Sequence, residues 1–170
     1  MKKLTVTFLF LSSVYTGLSI AQSCNGAITA EAPDSRYTLS ASGTALDKKT
    51  GLTWMRCNLG QVWDGVTCTG TAQPYTWQTA LQIAQSTVFA EQSDWRLPNQ
   101  KELQSLVENR CYAPAINLTA FPNGASGWAW SSSPSASSSS YAWVVGFGNG
   151  YDSYGNKGSS NAVRLVRGGQ

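Results

Sequence analysis

The sequence predicts an α+β fold with two helices, short antiparallel strands and long loops, braced by disulfides. Three observations lead there. Helix-start residues at Thr76 and Asn99 precede apolar residues at three- and four-residue spacing. Several short apolar runs bounded by Gly, Asp and Asn read as strands. Four cysteines, an even number, follow an export-type N-terminus, and in an oxidising compartment they are expected to pair.

The elements follow in order. Lys2 and Lys3 precede a mostly apolar run from Leu4 to Leu18, and Ser19-Ile20-Ala21 places small residues where a signal peptidase reads. Residues 1–21 are therefore expected to be a cleaved secretory signal peptide. A retained anchor fits less well. The run falls short of the roughly 20 residues that span a bilayer, and Thr5, Thr7, Ser12 and Ser13 interrupt it. Cys24 lies three residues past the cut, which argues against a lipid anchor there. No later run is long and apolar enough to span a membrane. Removing 21 of the 170 residues leaves 149, an ordinary single domain. Without Lys2 and Lys3 the 12 basic residues become 10 against 9 acidic ones. So balanced a chain is not expected to bind nucleic acid.

Residues 22–46 read as a polar, irregular segment tied to the body, with one short strand around Arg36 to Leu39. The domain proper is expected over residues 47–170. Asp47 to Gly51 reads as a turn and Leu52 to Met55 as the strand after it. A cysteine-bounded loop, Asn58 to Thr67, follows. Four cysteines allow three pairings. Gly60, Asp64 and Gly65 mark a local turn that favours Cys57–Cys68, leaving Cys24–Cys111 to pin the N-terminal segment to the body. Metal ligation by these cysteines is the weaker reading, since the chain has no C-x-x-C pair and no histidine.

From Thr76, the residues Trp77, Ala80, Leu81, Ala84 and Val88 share one helix face. Pro98 keeps Leu97 extended. Asn99 then caps a second helix, with Glu102 placed to complete a capping box and Leu103, Leu106 and Val107 as its apolar face. From Asn117 to Asn161 the chain is rich in Ser, Gly, Asn and aromatics and nearly free of charge. Such composition can mean disorder, but Trp128, Trp130, Tyr141, Trp143, Phe147, Tyr151 and Tyr154 need somewhere to pack. Tyr141 to Phe147 reads as a strand with Trp143, Val145 and Phe147 on one face. Ala162 to Arg167 reads as its closing partner, Gly148 to Ser160 as the long loop between them, and Ser131 to Ser140 as an exposed loop.

At this point the ordered blocks carry a resemblance. They are Gly51-Leu52-Thr53-Trp54, Tyr75-Thr76-Trp77 with Ala80-Leu81, Asp94-Trp95-Arg96-Leu97-Pro98 with Glu102-Leu103, Trp130-Ser131-Ser132, Ala142-Trp143 with Phe147, and Val163 to Arg167. From about residue 47 to 169 the chain resembles the Lcl C-terminal domain family, the receptor-like end of a bacterial collagen-like adhesin. The resemblance implies a fold like that of C-type lectins and of the sulfatase-modifying (formylglycine-generating) enzymes. It implies core positions for Trp95, Trp130 and Trp143 and structural roles for Trp54, Trp77, Leu97, Pro98, Glu102 and Leu103. Arg96, Arg164 and Arg167 are expected in hydrogen-bond networks. In the adhesin the domain is implicated in binding sulfated host glycans as a trimer. This chain has no Gly-x-y stalk, so the stalk-driven trimer is not implied here, and its near-neutral charge weakens the case for sulfated ligands.

The available chemistry favours binding over catalysis. The absence of His removes the commonest general base and any Ser-His or Cys-His pair. The sulfatase-modifying enzymes use a late cysteine pair, whereas the last cysteine here is Cys111. Asp64, Glu91, Asp94, Glu102, Glu108 and Asp152 remain as carboxylates for glycoside hydrolysis, but their spacing singles out no pair. Aromatic, Asn and Ser side chains suit sugar recognition. The candidate contacts are Asn149, Tyr151, Asp152, Tyr154, Asn156 and Lys157, each of which also reads as a solvated loop residue. No cofactor is required. The oxygen-rich residues 149–161 can hold calcium, with Asp152 as the one charged ligand. The expectation is an exported protein of the periplasm or cell surface that binds a glycan or a surface protein. A non-catalytic structural component is the alternative, and an enzyme the least favoured reading.

Overall fold

The C-terminal strand ends up beside a strand more than a hundred residues earlier, and that closure organises the molecule. The computed structural model describes residues 21–124 and 126–168. The expected signal peptide lies outside them except for Ala21. In chain order the first strands are β1 (Ser23–Cys24), β2 (Tyr37–Leu39), β3 (Thr44–Asp47), β4 (Thr53–Met55), β5 (Val62–Trp63) and β6 (Cys68–Thr69). Two helices follow, α1 (Trp77–Ser86) and α2 (Gln100–Gln104). Then come β7 (Cys111–Tyr112), β8 (Trp128–Pro134), β9 (Tyr141–Gly146), β10 (Tyr151–Asn156) and β11 (Val166–Arg167).

Two antiparallel sheets dominate. One has the order β11-β4-β3-β2 and the other β10-β9-β8, with β1–β7 and β5–β6 as small ribbons. The first sheet packs Trp54, Ala45 and Val166 against Leu103, Leu106, Phe121 and, from the second sheet, Val145. A second cluster joins Ala80 and Ala84 of α1 to Trp95, Trp130, Val144, Val163 and Leu165. The middle of β9 is therefore buried on both faces, with Val145 in one cluster and Val144 in the other.

Local chemistry accounts for the helices. The Thr76 hydroxyl accepts from the Thr79 amide at the start of α1. At α2 the Asn99 side chain accepts from the Glu102 amide while the Glu102 carboxylate accepts from the Asn99 amide, a capping box that satisfies two orphan donors. The helix is only five residues long, and Leu106 and Val107 are buried just beyond its end. Disulfides join Cys24 to Cys111 and Cys57 to Cys68.

Several expectations need correction. Residues 148–160 do not form a long loop: after a short turn, Tyr151–Asn156 pairs with β9 along its whole length. The closing segment pairs with Thr53 and Trp54 of β4, not with Tyr141 to Phe147. Ser131 to Pro134 belong to β8, and Ser131 is fully buried. The N-terminal segment supplies β3 as well as β2, both in the main sheet. Val88 lies beyond α1 and is exposed. Trp143 is not a core residue. It is half-buried, on the same face of β9 as Val145 but nearer the strand's start, where its ring meets Tyr154 across the strands with centroids 4.2 Å apart.

Candidate functional site

The remaining expected structural residues are held by named partners. Trp54, Trp95, Leu97, Leu103 and Trp130 are buried, as is Pro98, and Trp77 is half-buried with its indole N–H donating to the Ser131 carbonyl at 2.8 Å. Arg96 makes a two-pronged pair with Glu102, at 2.8 and 2.7 Å, and donates to the Gly168 carbonyl. Partial burial pushes the Glu102 carboxyl up, but Arg96 and the Asn99 amide outweigh it and hold it below its ordinary value. Arg167 pairs with Asp94 at 2.7 Å. Arg164 is buried without a carboxylate, donating to the Met55 and Arg56 carbonyls and lying over the Phe121 ring. Burial pushes its guanidinium down to about 9.

The six expected contacts do not gather at one place. Asn149 is exposed in the β9–β10 turn. Asp152 accepts from the Gln100 side-chain amide on the α2 side, Tyr154 lies on Trp143, and Lys157 donates to the Ser139 carbonyl while its ammonium sits over the Trp77 ring at 4.2 Å. Tyr151 points to the opposite face from Asp152, because neighbours along a strand alternate.

That opposite face carries an open groove of about 340 Å³. Trp128 forms one wall. Its ring lies across Gly146, where a Cβ would come within 2.9 Å of it, and 43% of the residue is exposed. Val144, Ser153 and Gly155 form the floor. A Cβ at Gly155 would stand 2.8 Å from the Trp130 ring and 2.9 Å from Val144, so only glycine fits. Asn156, Ser159 and Asn161 form the far wall, and Tyr154 also borders the groove, although its ring lies on the other face against Trp143. Asn161 is fixed by two backbone bonds with Tyr75, at 2.9 and 3.0 Å. The Asn156 side chain accepts from the Gly158 amide. No lysine, arginine or carboxylate lines the groove.

Of the expected contacts, Tyr154 and Asn156 belong to this groove; Trp128, Ser153, Ser159 and Asn161 were missed. One signal was available. A glycine inside a strand often marks close approach of another group, and Gly146 and Gly155 both meet a tryptophan. A larger cavity of about 510 Å³ runs beside α1, lined by Trp77, Leu81 and Lys157, but there the lysine already covers the indole.

Most of the candidate carboxylates have structural tasks. Asp64 accepts from the Val66 and Thr67 amides, and buried Glu108 from the Ala32 amide. Glu91 stands alone at a positive φ of 61°. Among the described residues no group of three or more His, Cys, Asp or Glu is arranged to hold a metal, and no helix is long and apolar enough to cross a membrane.

A family model described as the Lcl C-terminal domain matches residues 43–167. No curated protein matches the chain.

Proposed function

The chain belongs to the Lcl C-terminal domain family, and from that premise we propose that it is an exported adhesion module holding an uncharged glycan in the Trp128–Asn161 groove. The observation that carries this reading is the lining itself. An exposed indole stands beside a floor of Val144 and Gly155, and apart from Tyr154 the polar groups are Ser hydroxyls and Asn amides. Indole faces pack on the apolar C–H faces of sugar rings, while hydroxyls and amides exchange hydrogen bonds with sugar hydroxyls. Sites of this kind combine an apolar surface with a few placed polar groups. Without a basic wall, the groove favours neutral over sulfated sugars. Without an acidic one, the proposed sugar contacts do not call on calcium.

The runner-up is a non-catalytic partner-binding surface component. It draws support from Tyr151 and Tyr154, which are 69% and 49% exposed, since tyrosine is enriched at protein interfaces. Catalysis is the weakest reading, because nearly every candidate carboxylate is engaged in a turn, cap or pair.

A glycan array run with and without chelator tests the proposal. Neutral glycans should bind in both conditions, and Trp128→Ala should weaken binding at least tenfold, about 1.4 kcal/mol. Silence on every glycan would transfer the function to the runner-up.

A further inference from the structure

The two outer edges of the β10-β9-β8 sheet are treated differently. The β8 edge is covered: the Ala162 amide donates to the Trp128 carbonyl, and the Trp130 amide donates to the Ala162 carbonyl. The β10 edge, among the described residues, pairs with a strand only on its β9 side; at its end the Asn156 carbonyl accepts from the Ser159 amide and keeps one lone pair for a further donor.

Register fixes which groups face outward. The Lys157 amide donates to the Ser140 carbonyl, and bonded pairs alternate along an antiparallel ladder. Tyr151, Ser153 and Gly155 therefore turn their backbone groups toward β9. Asp152, Tyr154 and Asn156 turn theirs away from it. Native edges of this length are usually guarded by lysine, proline or a bulge. Here there is none: the one charged residue, Asp152, is turned to Gln100, and the nearby Lys157 ammonium is bound to Ser139.

We propose that a second copy of this chain occupies that edge, β10 pairing antiparallel with β10 of its partner about a two-fold axis through Tyr154. The strand is self-complementary in that register. Asp152 of each copy falls opposite the other's Asn156, carboxylate against amide, and the two Tyr154 side chains sit together at the axis. A register centred on Asp152 would oppose two carboxylates. The pairing is isologous, as a closed dimer requires, and does not depend on what the groove holds.

Sedimentation of the exported protein tests it. The wild type should sediment at twice the monomer mass. Tyr154→Lys and Tyr154→Glu should each be monomeric, and mixing them should restore the dimer, which also shows that both fold. Opposed outward residues lie about 5.5 Å apart between Cα atoms, within disulfide range. On oxidation, Tyr154→Cys should crosslink and Ser153→Cys should not. A monomer at every concentration, a mixture that stays monomeric, or crosslinking through Ser153→Cys instead would overturn the proposal.

Discussion

In the β11-β4-β3-β2 sheet and the loops packed on it, charge points into the fold and is answered there; in the β10-β9-β8 sheet charge is nearly absent and four aromatic residues are exposed. Arg36 pairs with Asp47 in the interior, and Asp47 also accepts from the Lys49 amide and the Thr50 hydroxyl. Trp128, Tyr141, Tyr151 and Tyr154 of the second sheet are all exposed. The contrast teaches where each capacity resides. The first sheet uses its polar chemistry on its own integrity, and the second leaves much of its aromatic surface exposed.

Substitutions should separate the two roles. Asp47→Ala leaves the Arg36 guanidinium buried without its partner and should cost about 3–5 kcal/mol, read from the urea midpoint; the matching Asp152→Ala in β10 should cost about 0.5 kcal/mol or less. Equal losses would break the comparison. Replacing Cys57 and Cys68 together with Ser should cost about 3 kcal/mol through the short loop they close, with glycan affinity unchanged once folded.

The cap is a smaller test. Asn99→Ala should cost about 1 kcal/mol. Asp47 and Glu102 are both held below their ordinary values, against burial, by Arg36 and Arg96 respectively. A depressed carboxyl stabilises the fold above its unfolded pKa, and that contribution is lost as pH falls through the folded one. Unfolding free energy should therefore drop below about pH 4, and Glu102→Gln should make the acid limb shallower. Trp128→Ala should likewise shift stability little, by about 0.5 kcal/mol, while abolishing most sugar retention on a column. A large loss of stability with retention intact would reverse the assignment of roles.

The first sheet's supports were more legible in the sequence than the second sheet's surface, for physical reasons. The capping box at Asn99 and Glu102 spans three residues, and Cys57 and Cys68 flank a turn, so short-range chemistry declares both. Tyr151 to Asn156 carries Gly, Asn, Asp and Ser, residues with low strand preference, and reads as a loop. It is a strand because β9 lies one short turn away and supplies the ladder. Trp143 is apolar whether or not it is covered, and only the β10 register sets it beside Tyr154 rather than in the core. The groove draws on residues 128, 144, 153–156, 159 and 161, a set that exists only once the Tyr75–Asn161 bonds and the β8–β9 ladder have formed.

The Cys24–Cys111 bond has a mechanical consequence. Tension applied to the chain ahead of Cys24 crosses directly to Cys111, a sequence separation of 87 residues. The stretch between them, which includes both helices and three strands of the first sheet, is shielded from that pull. Load then passes on toward β8 and the groove, while the scaffold behind it stays slack.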